Sequence, residues 1–304
     1  MAVQASDSGI VARSSFSETS EHDQSIEYDV YDVLGLRALV GGTPPEASQA
    51  IRSILHAFGP VRAGLSSGLP RYELVRTGIQ WEVRVDGSAI QIDNDLSAAV
   101  SVVESHLITH ALTSRDDLFH LHGASLCAPA QRGGVVLIGE SGLGKTTLAL
   151  ALMLRGFAPY GDDVVLLDPE TLELRALGRP FHVSEETWRL IEALAGCSVR
   201  RDPTMPPGFY SPPRWASSPA PVRWLLLIDF RPEQPSRLEP LSPAAAAAGI
   251  LAHTLNLSRV PGLTLPVCAR LTERAVCYRF VTGDLAASVA LVEKLVSGSL
   301  SSTN

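Results

Sequence analysis

Apolar residues recur along this chain at two spacings, and the changes of spacing mark its elements. Residues 28–40 (YDVYDVLGLRALV), 71–75 (RYELV) and 78–93 (GIQWEVRVDGSAIQID) alternate apolar and polar positions, the period of half-buried strands. Asp86-Gly87, between the runs 83–85 and 89–92, predicts a hairpin turn. Residues 47–58 and 96–112 instead place apolar side chains every three or four positions, which predicts two helices, the second capped by Asn94 or Asp95. Together they predict a small α+β module over 27–115. It carries no chemical motif; shielding a sheet edge, holding a nucleotide base and docking a partner all remain open to it. Residues 1–26 are rich in Ser, Asp and Glu and poor in large apolar groups, so burial cannot offset the entropy of ordering and a disordered tail is expected.

Residues 116–298 read as one larger α/β domain, followed by a second disordered tail over 299–304. The apolar runs 134–138, 164–167 and 222–230 predict buried strands, and 265–271 and 275–281 predict late ones. Helical spacing covers 147–155, a segment that Ser184 would cap, the alanine-rich 243–255 and 285–296. Residues 200–221 are dense in proline and predict an irregular connection. With Arg200, Arg201, Tyr210, Arg214 and Trp215 in it, that connection reads either as a lid for peptide or nucleotide or as a passive linker.

The chemistry is concentrated where the run 134–138 meets the helix after it. Gly139, Glu140, Ser141, Gly142, Leu143, Gly144, Lys145 and Thr146 fill every fixed place of G-x-x-x-x-G-K-[ST], with Thr147 next. Glycines let such a loop turn its N–H groups inward around a polyphosphate, and the helix start adds free donors and the positive end of its dipole. Lys145 would reach the β and γ phosphates, and the Thr146 hydroxyl would sit on Mg²⁺. A nucleoside triphosphate with Mg²⁺ is the expected ligand.

Two further features flank this loop. His120 and His122 lie two apart in the run 118–126 and share a strand face, but no third ligand accompanies them; a hydrogen-bonded core histidine is the plainer reading of His120. After Arg155-Gly156, which ends the helix, Gly161-Asp162-Asp163 opens an apolar strand. Adjacent side chains on an extended strand point to opposite sides, which suggests one carboxylate for Mg²⁺ and one to accept the proton of an incoming hydroxyl. A solvated turn is the alternative. Arg179 reads either as a phosphate contact from outside the loop or as a surface ion pair.

His122-Gly123, the loop GESGLGKT, Arg155-Gly156 and Gly161-Asp162-Asp163, in this order, resemble the bacterial HPr kinase/phosphorylase family over roughly residues 118–185. The resemblance implies an α/β P-loop, HPr-kinase-like nucleotide-binding core. It sets His122 at the active-site histidine, Lys145 and Thr146 at the phosphate and Mg²⁺ contacts, Asp163 at the proton acceptor and Asp162 at its acidic, metal-side neighbour. The family's E-[IL]-R-G-x-G core is matched loosely by Glu173-Leu-Arg175-Ala-Leu-Gly178, with Glu173 as a metal ligand. The implied reaction transfers the γ-phosphoryl group of ATP to a serine of a protein or peptide, and some members reverse it with inorganic phosphate. The N-terminal module is unlike that of the sugar-regulatory enzymes. The chain more closely resembles the shortened HPr-kinase-like proteins of peptide-modification clusters, including lasso-peptide kinases that act on a precursor peptide. A homo-oligomer is the family's habit.

Composition narrows the alternatives. The net charge of -7, without a lysine or arginine run, speaks against nucleic acid. No apolar run approaches the ~20 residues of a membrane span and no signal-type h-region opens the chain, so a cytoplasmic protein is expected. Cys127, Cys197, Cys268 and Cys277 lack C-x-x-C spacing and read as buried small hydrophobes. A kinase for a small hydroxylated metabolite and a nucleotide-binding regulatory ATPase remain as other classes, the second without a Gln or Thr switch element in view.

Overall fold

A computed structural model describes residues 26–61 and 68–299; the tails expected at 1–26 and 299–304 fall almost wholly outside them. The chain is mixed α/β. Strands β1 (Glu27–Val33), β2 (Leu36–Thr43), β3 (Arg71–Thr77), β4 (Gln80–Val85) and β5 (Ser88–Asp93) form one sheet in chain order, antiparallel except for the parallel β2–β3 pair. The turn between β4 and β5 is at Asp86-Gly87, both at positive φ. Helices α1 (Pro45–Leu55) and α2 (Leu96–Thr113) pack on this sheet. Asp95 caps α2 by accepting from the Ala98 N–H, which satisfies one of its first-turn donors.

The second sheet holds the loop. Its elements are β6 (Phe119–Cys127), β7 (Gly134–Ile138), β8 (Ala158–Gly161), β9 (Val164–Leu167), β10 (Glu173–Arg175), β13 (Ala220–Phe230), β14 (Arg237–Pro240) and β15 (Val276–Thr282), while β11 (Phe181–His182) and β12 (Phe209–Tyr210) form a separate pair. The order is β10-β9-β6-β7-β13-β15-β14, with β7, β13 and β15 parallel and β8 also paired to β6. Helices α3 (Lys145–Met153), α4 (Glu185–Ala195), α5 (Pro243–Ala252), α6 (Pro261–Arg274) and α7 (Leu285–Ser297) cover it. The continuous apolar runs of β7 and β9 are wholly buried, as strands covered on both faces must be.

Three expectations are corrected. Residues 265–271, expected as a strand, lie in α6: Thr264, Val267, Cys268 and Leu271 are its buried positions, a helical spacing that Pro266 disguises in the sequence. The proline-dense 200–221 stretch is not a lid over the loop. Trp215 stacks on Phe181, Tyr210 meets Trp188 edge-on, and its last residues wall a cavity of about 710 Å³ with Cys127 and Pro129, at the end of the sheet away from the loop. Cys197 is exposed, whereas Cys268 and Cys277 are buried.

Close approach fixes the middle of the sheet. A Cβ on Gly123 would run into the Leu137 carbonyl oxygen of the neighbouring strand, so β6 and β7 meet there only through glycine. Gly123→Ala should therefore destabilise the protein by about 1–3 kcal/mol, the usual cost of overpacking, in chemical denaturation. Unchanged stability would mean that the two strands can spread.

Candidate active site

The loop leaves β7 at its carboxyl end, beside the carboxyl ends of β13 and β15. Gly142 and Gly144 both sit at φ 82, in the left-handed region that a Cβ disfavours. Gly144 supplies no side-chain cap to α3, which leaves the first N–H groups of that helix as donors for an anion. Lys145 is buried, and its ammonium donates to the Gly139 and Glu140 carbonyls at 2.8 Å each. Burial pulls its pKa below the usual lysine value, against the opposing charges of Asp162, Asp163 and Glu140. Thr147 turns to Thr187 on α4, 3.4 Å away. Glu140, Ser141 and Leu143 complete the loop, and Leu143 also lines a groove of about 470 Å³ with Thr147, Leu190, Phe230 and Thr282. The Thr282 hydroxyl is buried and has no hydrogen-bond partner among the described residues.

Two strands run in succession along β6. Residues of β8 pair with its second half and residues of β9 with its first, and Asp162-Asp163 is the break between them. Asp163 takes φ 62, a left-handed conformation that Asp tolerates better than most residues. Its carbonyl accepts from the Gly123 N–H at 3.2 Å and lies 3.2 Å from His122 Nδ1. His122 therefore holds the backbone of Asp163 rather than its carboxylate.

The break sends the two side chains to different partners. Asp162 is buried, and its Oδ2 accepts from the Thr146 hydroxyl at 2.8 Å, while its Oδ1 has no partner among the described residues. Burial, with the neighbouring Asp163 charge, pushes its carboxyl up to about 6 despite the Thr146 hydrogen bond. Asp163 is 43% exposed and receives Arg179 Nη1 on Oδ2 at 3.1 Å. Arg179 is thus neither a surface ion pair nor free: its Nε and Nη2 donate to Glu104 of α2 at 2.6 and 3.1 Å.

Mg²⁺ fits this donor set. The metal usually takes one or two carboxylates and hydroxyls with phosphate oxygens and water, and Thr146 with the unpartnered oxygen of Asp162 offers that arrangement. Among the described residues no three His, Cys, Asp or Glu side chains form a metal cage. His120 is a core residue: burial and Arg259 lower its imidazole to about 4, so it is neutral. Glu173 is remote from the loop. It pairs with Pro221 at the start of β13, six residues and roughly 20 Å of strand from Leu227, which pairs with the last residue before the loop.

Sequence reasoning did not single out Glu104, His182 or His253. Glu104 carried a signal, because it falls on the apolar stripe of α2 with Val100, Val103, Leu107, Ile108 and Ala111, where a charge demands a partner. His253 is brought in by the segment after α5, which bonds to β6 where β7 has turned away: the His122 N–H donates to the His253 carbonyl at 2.7 Å, and the Leu255 N–H to that of His120 at 2.9 Å. Burial lowers the His253 imidazole, and the charges it feels are those of Glu140, His122 and Lys145.

No family model matches the sequence, and no curated protein matches it. The solved HPr(Ser) kinase/phosphatase from Coxiella burnetii is similar to this chain at 16% identity, over 59% of this chain and 89% of that one, with a TM-score of 0.30. Among the described residues no helix is long and apolar enough to cross a membrane.

The raised Asp162 carboxyl is a cost of the folded state. Above about 6 the fold must hold a charge that the unfolded chain solvates freely; below the ordinary value of 3.8 both states are protonated and the cost disappears. Asp162→Asn should therefore stabilise the ligand-free protein at pH 7.5, on the order of 2 kcal/mol, with the gain lost as pH falls to 4. Thermal melts at the two pH values measure it; a pH-independent gain would remove the buried charge as the cause.

Proposed function

We propose that the protein is an ATP-dependent kinase that transfers the γ-phosphoryl group to a Ser or Thr hydroxyl of a peptide or protein, for instance a ribosomal peptide precursor. The observation that carries the reading is the division of labour at the mouth of the phosphate loop. One carboxylate is bound to the loop threonine, and the next is turned outward to an arginine.

Loop N–H groups, the start of α3 and Lys145 hold the phosphates and the charge that develops on them. Thr146 and Asp162 would hold Mg²⁺, which when bound would neutralise charge on the transferring group. Asp163, half-exposed, accepts the proton of the acceptor hydroxyl as its oxygen attacks phosphorus and the bond to the β-phosphate oxygen breaks. His122 keeps the Asp163 backbone in its left-handed turn. The nucleobase lies in the groove beside Leu143 and Thr147, against the exposed faces of Leu190 and Phe230.

Incubation with γ-labelled ATP and candidate peptides identifies the acceptor: label on a peptide Ser or Thr supports the reading, whereas label only on a small metabolite or in free phosphate replaces it. Lys145→Ala should abolish transfer and weaken ATP binding. Asp163→Asn should leave ATP affinity intact and reduce transfer by roughly 10²- to 10⁴-fold, the range of general-base catalysis; near-normal transfer would remove its role. Phe230→Ala should weaken ATP while sparing inorganic tripolyphosphate, and equal losses for both would place the base elsewhere.

A further inference from the structure

Glu104 is a fully buried carboxylate on a helix of the N-terminal module, yet its partner Arg179 lies in the segment between β10 and β11. Arg179 gives it two of its nitrogens in fork geometry, at 2.6 and 3.1 Å, and gives the third to Asp163. His182, the second residue of β11, adds a nitrogen 3.6 Å from the same carboxylate. Burial alone would raise the Glu104 carboxyl, but His182 and Arg179 outweigh it and hold it below the usual glutamate value. Two guanidinium hydrogen bonds hold its side chain in place.

Geometry gives this pair a consequence beyond cohesion. A guanidinium is planar, so two bonds to Glu104 fix the direction of the remaining nitrogen. That nitrogen is the one on Asp163. The Asp163 backbone is already held by Gly123 and His122, so only the two torsions of its side chain are left, and the bond from Arg179 to Oδ2 restrains them. Without Glu104 a buried guanidinium would face Asp162 and Asp163 alone and would be drawn toward them.

We propose that Glu104 is a positioning residue of the phosphoryl-transfer site: through Arg179 it sets the orientation of the Asp163 carboxylate, so the N-terminal module completes the active site. This rests on the assignment of Asp163 as proton acceptor. Loss of a salt bridge that merely tied the module down would weaken the whole fold, and nucleotide binding with it. The proposed coupling acts on transfer alone.

A double-mutant cycle in the full chain separates the two. Glu104→Gln should lower turnover of Mg·ATP at least tenfold with its dissociation constant changed less than twofold, and should cost nothing further in the Asp163→Asn background. Losses that multiply in the double variant, an affinity that falls in step with turnover, or unchanged turnover would each overturn the proposal. Arg179→Lys, which keeps the charge but not the fork, is the second variant and should behave as Glu104→Gln does. If the wild-type chain binds Mg·ATP but transfers nothing, the kinase reading fails, and the positioning is then read from the Arg179 side-chain nitrogen resonances. Slow rotation of the guanidinium and a shift on Asp163→Asn support it; free rotation, or no shift, overturns it.

Discussion

The break in pairing at Asp162-Asp163 is the constraint on which the site depends. β8 and β9 follow the same neighbour, β6, and a continuous strand there would alternate its side chains across the sheet without regard to the loop. One residue in the left-handed region interrupts that alternation, level with the last residue of β7 and with Gly123 beside it. The result is two carboxylates in sequence with different surroundings. One is drawn under the loop to Thr146, and the other is turned out to Arg179. Their different environments, rather than their identity, set the two carboxylates apart.

These groups are held at some expense to the fold. Lys145, Asp162 and Glu104 are all buried, and a buried charge costs several kcal/mol unless partners replace its water. Glu104 and Arg179 replace it for each other through two hydrogen bonds. Lys145 finds two carbonyls of its own loop. Asp162 is the least compensated, with one oxygen unpartnered and its carboxyl raised to about 6. A cation against the free oxygen would relieve that imbalance.

The loop was legible in the sequence because each of its positions has a physical requirement that few residues meet: glycine for left-handed backbone, lysine for charge, threonine for a hydroxyl at the helix start. The Asp pair was legible as a pair, but its side chains part because Asp163 is left-handed and not by the strand alternation expected, and their partners were not legible. Arg179 lies 75 residues from Glu104, and no local pattern joins them. Glu104 itself was visible only as a charge on an apolar stripe, a signal that says a partner exists and not where. α6 was misread because Pro266 interrupts the composition of a helix without disturbing its buried positions. The aromatic residues of 200–221 suggested contact with a ligand, and they are instead spent against Phe181 and Trp188.

β9 ties the N-terminal module to the strand that follows Asp163. Val164 and Leu166 pack into the core shared with α1, α2 and the first sheet, along with Leu177 and Phe209, whereas Val165 and Leu167 pack into the core beneath α5 and α6. One strand is thus clamped between two cores, and its alternation is satisfied on both faces. The left-handed residue stands immediately before that strand, so any slip of β9 would carry Asp163 with it. A one-residue slip would exchange the two faces and send Val164 and Leu166 to the wrong core, which the burial on both sides strongly opposes. Through the face of β9 that it covers and the carboxylate that α2 extends to Arg179, the first module holds in register the strand that follows Asp163.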